Sequence, residues 1–379
     1  MKCLVTKLNG VVSNSDILRL GEARIYFDKV DSPSGATQGF TFGFNKPVVL
    51  EIIGDGYFTD KTLTENRGKT LTLNGDYQSV CVSNNTSAIA VLDKYSITRI
   101  STYYPEISGT GTNKRVNLGD FKMVKNLTYI NLDKVQVNDS IEELRNLTGI
   151  TYLSCNNTLV CGNIANLKNF VGLRTLSLGN TQVNGNIGDL SSLTSLDSLY
   201  IPNSQVGGNI GDLKSLTNLT SINLTNTLVS GNIGDLKSLT KLIYLNASNR
   251  TTPLTGNIGE LSSLTNVKDI LLEFGNFTGD LATVPASCRY ISFNSDVSSA
   301  FTWGLRPSSA KIIAIEGGVK IANIDKMLQD QAQCVVGFSS GELSRYKTIS
   351  VTGTRTSASD AAIQTLQSKG YNVSITPHK

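Results

Sequence analysis

Ser339, within Gly337-Phe338-Ser339-Ser340-Gly341, has the spacing of a nucleophile elbow. Such an elbow needs a strand before it, a helix after it and a histidine to take the serine proton. The single histidine, His378, is the second-last residue and follows the last expected strand. Serine and glycine between two strands more simply make a turn. No phosphate-cradling glycine loop is present, and no dinucleotide-type glycine run follows an expected strand. These residues point to a non-enzymatic protein with no cofactor.

Asp120, Glu143, Asp189, Asp212, Asp235 and Glu260 fall in one column of a repeat, interrupted by Asn166. Carboxylates stacked one turn apart suit a hard cation such as calcium. Lys214 and Lys237 follow Asp212 and Asp235 by two positions, so the same acids suit helix caps and a solvated face. No metal is assigned. The six cysteines contain no CxxC pair and no secretory leader precedes them, so most are expected to be buried free thiols.

A third set suits binding rather than reaction. Tyr129, Tyr152, Arg174, Tyr200, Tyr244, Arg289 and Tyr290 recur at outward strand positions. Tyrosine offers large contact area with few rotatable bonds, and the arginine fork matches acidic groups. The plainer alternative is that polar β-formers keep an exposed sheet soluble.

A repeat must position all of these. Gly-Asn-Ile-x-x-Leu starts at Gly162, Gly185, Gly208, Gly231 and Gly256, with weaker copies at Val116, Asp139 and Gly279. A fixed period in the low twenties means a solenoid, each turn burying its apolar face against its neighbours. In a second register, Leu173-x-x-Leu176-x-Leu178-x-Asn180 recurs at Leu196, Leu219 and Leu242. That pattern predicts short parallel strands with alternate residues inward. The returning apolar residues every three positions, such as Ile187, Leu190, Leu193 and Leu196, predict 3₁₀-like segments. Asn157, Asn180, Asn203, Asn226 and Asn249 are expected to form a ladder of amides that satisfies buried turns.

Composition agrees. Charged residues make up 17% of the 379, and the formal charge of +4 is too small to imply nucleic-acid binding. No run is long and apolar enough for a membrane span, and none has signal-peptide form, so synthesis in a cytoplasm is expected. Of 35 asparagines, 33 precede residue 301, which marks a change of character near the end. The expected division is residues 1–76 as a small all-β module, 77–300 as the solenoid, and 301–379 as degenerate repeats with a cap. Phe40, Phe42 and Phe44 alternate as in a strand, as do Ile25–Phe27, Val48–Ile53 and Thr70–Leu73. Tyr77-x-x-Val80-x-Val82 reads as an irregular first turn, and Gln333-x-x-Val336-x-Phe338 as a late one. A helix is expected from Ser357–Asp360 to Gly370, with Ile363 and Leu366 inward.

The repeat resembles leucine-rich-repeat proteins, and Asn-Thr-x-Val-x-Gly-Asn-Ile is similar to the plant-type subclass. Gly188, Gly211 and Gly234 stand where that subclass usually has proline. The resemblance implies an α/β solenoid with one parallel sheet on its concave side, preceded here by the β module. Two segments, Asn45–Asp60 and Thr354–Tyr371, resemble leucine-rich-repeat proteins of tailed gut phages, including the crAss-like group. That implies a virion structural or adhesion protein, a fibre or fibre-associated component, that docks on other virion proteins through residues 1–76. The concave face would then meet a host surface glycan or protein. A homo-oligomer is compatible with this reading; nucleic acid and membrane insertion are not part of it. The alternative is a bacterial leucine-rich-repeat protein-binding protein or surface adhesin.

Overall fold

The computed structural model describes residues 116–377 apart from 136, 294–299 and 340, and, before them, the strands between Cys3 and Tyr103. The chain forms two compact units, residues 1–183 and 184–379.

The first unit begins with antiparallel strands. Gln38–Phe44, Phe58–Thr59, Tyr77–Val82 and Ile97–Tyr103 share one sheet. Ala23–Tyr26, Val48–Gly54, Thr70–Leu73 and Thr86–Val91 form another. Successive strands from Ala23 to Tyr103 alternate between the two sheets. The strand runs expected at 40–44, 48–53 and 70–73 are therefore present, and that at 25–27 is present as Ala23–Tyr26, Phe27 lying outside the described residues. Tyr77–Val82, however, is not a first solenoid turn: it pairs antiparallel with Gln38–Phe44. Parallel pairing starts at Ile97–Tyr103, which takes Gln38–Phe44 antiparallel on one side and Tyr129–Asn131 parallel on the other. From there Tyr129–Asn131, Tyr152–Ser154 and Thr175–Ser177 add in register, Ile130 beside Leu153 beside Leu176.

In the second unit the same construction continues through Ser198–Tyr200, Ser221–Asn223, Tyr244–Asn246, Asp269–Leu271 and Tyr290–Ser292. Each strand is three residues long, so only its central residue and the flanking leucines reach the core. Leu199, Ile222, Leu245 and Ile270 are completely buried. The return path is 3₁₀, as at Ile210–Ser215 and Ile233–Ser238. With three residues per turn, positions i and i+3 eclipse, which points Ile210, Leu213, Leu216 and Leu219 all inward. The turn is capped by the asparagine of Gly-Asn-Ile: Asn209 Oδ1 accepts from the Gly211 amide at 2.8 Å. Gly208 before it has φ +104°, and a Cβ there would lie 2.2 Å from Asn186 Oδ1 of the preceding turn. Glycine is therefore required both by dihedral and by space. The acids of the expected column do not cap, since asparagine takes that place.

A second parallel sheet was not anticipated. Gln205–Asn209, Leu228–Asn232, Leu254–Asn257 and Asn276–Thr278 pair in sequence, one strand per turn. These residues run extended after the strand-end asparagine, and their valines, Val206 and Val229, enter the core.

The asparagine ladder exists but does a different job. Asn226 Nδ2 donates to Asn203 Oδ1 at 2.9 Å, and in the first unit Asn180 bonds Asn157 in the same way. These four side chains are exposed. Their common property is a left-handed backbone, with φ between +53° and +57°. The buried polar work falls to the next residue: the hydroxyls of Thr158, Thr181, Ser204 and Thr227 each donate to the carbonyl three residues back. Asn249 alone of the set is buried, accepting from the Thr227 amide and donating to the Val229 carbonyl. Asn203→Ala is thus expected to cost roughly 1–2 kcal/mol through its left-handed φ, and Asn203→Gly far less. Chemical denaturation of both variants checks this, because a ladder held by amide bonds would penalise glycine as much as alanine.

Toward the end the turns enlarge into strand–helix–strand crossovers. Ala314–Ile321, Thr348–Thr352 and Asn372–Thr376 pair parallel, with helices Ile324–Gln333 and Asp360–Ser368 between them. Gln333, Val336 and Phe338 are not a strand. Ile324, Met327, Leu328 and Gln331 bury one helical face, and that spacing prevails. The buried Gln331 amide bonds both the N–H and C=O of Ile313, standing in for a neighbouring strand. In the last helix Leu366 is buried and Ile363 half-buried. Arg306, only 3% exposed, donates to the carbonyls of Ala282, Val284, Pro285, Cys288 and Lys311. Among the described residues its acceptors are all carbonyls, so peptide dipoles solvate the charge.

Asp325, in the first turn of the earlier helix, ties it to the later one. Its carboxylate accepts from the Ser359 hydroxyl at 2.6 Å and from the hydroxyl and amide of Thr356. Those hydrogen bonds, Ser359 first, hold its pKa below the ordinary carboxylate value. A lowered pKa means that the contribution is complete above the ordinary carboxylate range and is lost as pH falls through the lowered value. Asp325→Asn should therefore melt below the parent at neutral pH, with the gap closing on acidification. Thermal melts across the acid range test this.

Candidate binding surface

The sequence places seven residues on the outward side of the parallel strands. In the first unit these are Tyr129, Tyr152 and Arg174. Register sets Arg99, Tyr129, Tyr152 and Thr175 side by side on consecutive strands. The tyrosine rings stack with centroids 4.2 Å apart and planes 8° from parallel. The Arg99 guanidinium lies over the other face of Tyr129, 3.3 Å from its centroid. Both faces of Tyr129 are thus occupied, while Tyr152 has the smaller Thr175 as its neighbour on the other side. Burial, and then the neighbouring Tyr129, push the Tyr152 phenol above its ordinary pKa. Arg174 is exposed at the strand's start.

The adjacent polar column is used internally. Asp133 Oδ1 accepts from the Ser154 hydroxyl at 2.6 Å and the Asn156 amide at 2.7 Å. The Asn156 side chain then bonds Ser177 and the Gly179 amide. Ser154 and Ser177 are buried by this network.

In the second unit Tyr200 is 39% exposed and Ile243 41% exposed, with Tyr244 half-buried. The Tyr244 hydroxyl accepts from Asn246 Nδ2 at 3.2 Å. Two strands further on, the face is covered. Tyr290, expected at the open surface, is only 3% exposed, and Asp269 is buried beside it. Residues 341–347 lie over them. Arg289 bonds Asp269 at 3.2 Å and Glu342 at 2.6 Å. The Tyr346 hydroxyl donates to Asp269 at 3.3 Å, and its ring meets Tyr290 edge-on at 5.4 Å. The Tyr290 hydroxyl bonds Glu316. Burial and then that carboxylate raise the Tyr290 phenol well above its ordinary pKa. Burial pulls the Arg289 pKa down, but Glu342 and Asp269 outweigh it and leave it raised.

Sequence reasoning missed Arg99, Glu342 and Tyr346. Arg99 sits one register step before Tyr129 in Ile97-x-x-Ile100 and was findable there. Glu342 lies in a connection outside the repeat, and Tyr346 opens Tyr346-x-x-Ile349-x-Val351, which reads as a strand register with Tyr346 inward rather than over the outward face.

The other candidates are placed as follows. Ser339 is exposed in a loop, its amide donating to Glu342, and a 3₁₀ turn at Ser344–Lys347 follows in place of an elbow helix. Ser340 and His378 lie outside the described residues. The carboxylates of Asp212, Asp235 and Glu260 rest over Gly188, Gly211 and Gly234 of the preceding turns. Among the described residues no group of three or more His, Cys, Asp or Glu side chains is placed to hold a metal ion, and no helix is long and apolar enough to cross a membrane. Cys155 and Cys288 are fully buried free thiols, and burial pushes Cys288 up to about 12.

No family model and no curated protein matches the chain. Solved structures do resemble it. A TDR receptor is 16% identical, aligned over 69% of this chain and 49% of that one, with a TM-score of 0.50. The leucine-rich-repeat ectodomain of the Arabidopsis thaliana receptor kinase GASSHO1/SCHENGEN3 is 18% identical over 75% of this chain, with a TM-score of 0.49. The chain spans 38% of that ectodomain's length. Internalin InlF of Listeria monocytogenes is 18% identical, over 71% of this chain and 82% of that one, with a TM-score of 0.48. Short parallel strands, 3₁₀ returns and the left-handed asparagines Asn157, Asn180, Asn203 and Asn226 make this a leucine-rich-repeat solenoid fold.

Proposed function

We propose that the chain is a non-enzymatic binding scaffold whose outward strand face engages a protein. The observation that carries this reading is that each unit by itself presents aromatic or exposed apolar side chains on or beside strands fixed by hydrogen bonds, Tyr152 in the first and Tyr200, Ile243 and Tyr244 in the second. A preformed face loses little entropy on binding. Aromatic anchors amid polar neighbours are the composition of protein hot spots.

At the finer level, the chain is a virion component of a tailed phage, fibre or fibre-associated, acting in host recognition. Residues 1–76 dock it to other virion proteins, together with strands Tyr77–Val82 and Thr86–Val91 that complete the same antiparallel sheets. This rests on the resemblance of Asn45–Asp60 and Thr354–Tyr371 to phage leucine-rich-repeat proteins. Mass spectrometry of purified particles should find the chain in stoichiometric amount, and its absence from particles would leave only the scaffold reading. Replacing Tyr152, Tyr200 and Tyr244 together with Ser should remove partner binding at least tenfold with little change in melting temperature. Unchanged binding would refute the face assignment.

A further inference from the structure

We infer that residues 341–347 are a strap occupying a docking site on the sheet face, and that the partner segment it stands in for carries a carboxylate followed four residues later by an aromatic ring. The inference rests on the reading that this face binds protein. Tyr290 and Asp269 continue the column of Ser221 and Tyr244, which are half-exposed on strands without the strap.

The strap is held by its side chains rather than by a core of its own. Glu342 reaches Arg289, Tyr346 reaches Asp269 and Tyr290, and Arg345 lies over the rings of Tyr290 and Tyr346. Leu343, its apolar residue, points away and is 62% exposed. The 3₁₀ turn Ser344–Lys347 has no buried residue. A segment built to seal the solenoid's interior would turn Leu343 inward and keep charge out. Polar contacts at half-exposed positions are also the kind that open locally, while the strand that follows is anchored by the fully buried Ile349 and Val351.

Lifted about Gly341 and Thr348, the strap would uncover a guanidinium, a phenol ring and an acceptor carboxylate on adjacent strands. Arg289 then offers its fork to an acidic side chain, Tyr290 an edge or face to a ring, and Asp269 an acceptor to a donor on that ring. A partner must displace Glu342 and Tyr346, so the strap competes with it.

The test uses the full chain with Glu342→Lys and Tyr346→Ala, which remove the strap's grip. A fluorescein-labelled peptide of residues 341–348, Gly-Glu-Leu-Ser-Arg-Tyr-Lys-Thr, is the probe. It should bind the opened variant at least tenfold more tightly than the parent. Arg289→Glu added to the opened variant should abolish binding, as should lysine in place of the peptide's glutamate. Equal binding to parent and variant, or no binding to a variant that melts like the parent, overturns the inference. Should the opened variant not fold, hydrogen exchange on the unaltered chain decides: amides of 341–347 should exchange at least tenfold faster than those of Thr348–Thr352, and equal protection overturns it. Failure of the peptide alongside lost partner binding in the triple tyrosine variant removes the strap alone. Unchanged partner binding in that variant removes the face assignment beneath it.

Discussion

Arg306→Met is expected to lower the unfolding free energy by about 3–5 kcal/mol. The methionine fills most of the volume but leaves carbonyls of Ala282, Val284, Pro285, Cys288 and Lys311 facing an apolar side chain. Five acceptors converge on one fork, so no neighbouring donor replaces it with a small rearrangement. Burial holds the guanidinium pKa below its ordinary value, yet arginine stays charged, which keeps all its donors in place. Arg306→Lys preserves charge and loses the planar fork, so it should fall between parent and methionine variant. Urea denaturation of both variants measures this. A loss under about half a kcal/mol, as at ordinary surface sites, would show that the loop from Ala282 to Cys288 holds without the cation.

The second large effect is expected at Ile222→Ala, at about 2–5 kcal/mol. Ile222 is completely buried, and register sets it between Leu199 and Leu245 on the neighbouring strands. Leu219 and Leu224 flank it in the same turn, but strand register and the 3₁₀ return fix their places, so the gap closes only in part. The cavity opens onto both adjoining turns and weakens three at once. Unfolding by denaturant with a fluorescence readout checks the size. A change typical of exposed positions would mean that Ile222 is not stacked in the core.

The solenoid was legible because its two signals are independent and agree. The strand register at Leu173, Leu196, Leu219 and Leu242 and the Gly-Asn-Ile register share one period, and every inward position so marked is buried. The strands of the N-terminal sheets were also readable from alternation at Phe40, Phe42 and Phe44. Their direction was not. Alternation is the same for parallel and antiparallel partners, so Tyr77-x-x-Val80-x-Val82 looked like one more turn although it pairs antiparallel. The second sheet was hidden for another reason: Gln205-Val206-Gly207-Gly208-Asn209 is poor in strand-forming residues, and its extension is imposed by the neighbouring turns. Gln333-x-x-Val336-x-Phe338 matched the strand spacing by accident and lost to helical burial of Met327, Leu328 and Gln331.

On the surface, register gave the column of Tyr129, Tyr152, Tyr244 and Tyr290, with Tyr200 in the column beside it, but not which rings stay open. Tyr290 is closed by Tyr346, far along the chain, whose place at the head of Tyr346-x-x-Ile349-x-Val351 marks it as inward rather than as a cover for the outward face. Tyr129 is closed by Arg99 and Tyr152 through nearest-neighbour stacking, which depends on ring orientation. Arg306 looked like any loop arginine, because five carbonyls from separate positions leave no motif.

Strand Ile97–Tyr103, antiparallel to one neighbour and parallel to the next, bears on the order in which the first unit is built. It offers an already hydrogen-bonded edge before any turn of the ladder has formed. Each following strand pairs with residues one repeat earlier, as Tyr152 does with Tyr129. Closing a loop of that length costs only about 3 kcal/mol of chain entropy, and the cost does not rise as turns accumulate. Growth can then proceed by accretion, every turn supplying the template for its successor. At ribosomal speeds a turn emerges every one to five seconds or so, roughly, far slower than such a loop closes. Within the ladder, then, each strand can find its mate one repeat earlier, and only the antiparallel strands before it must wait for partners further along the chain.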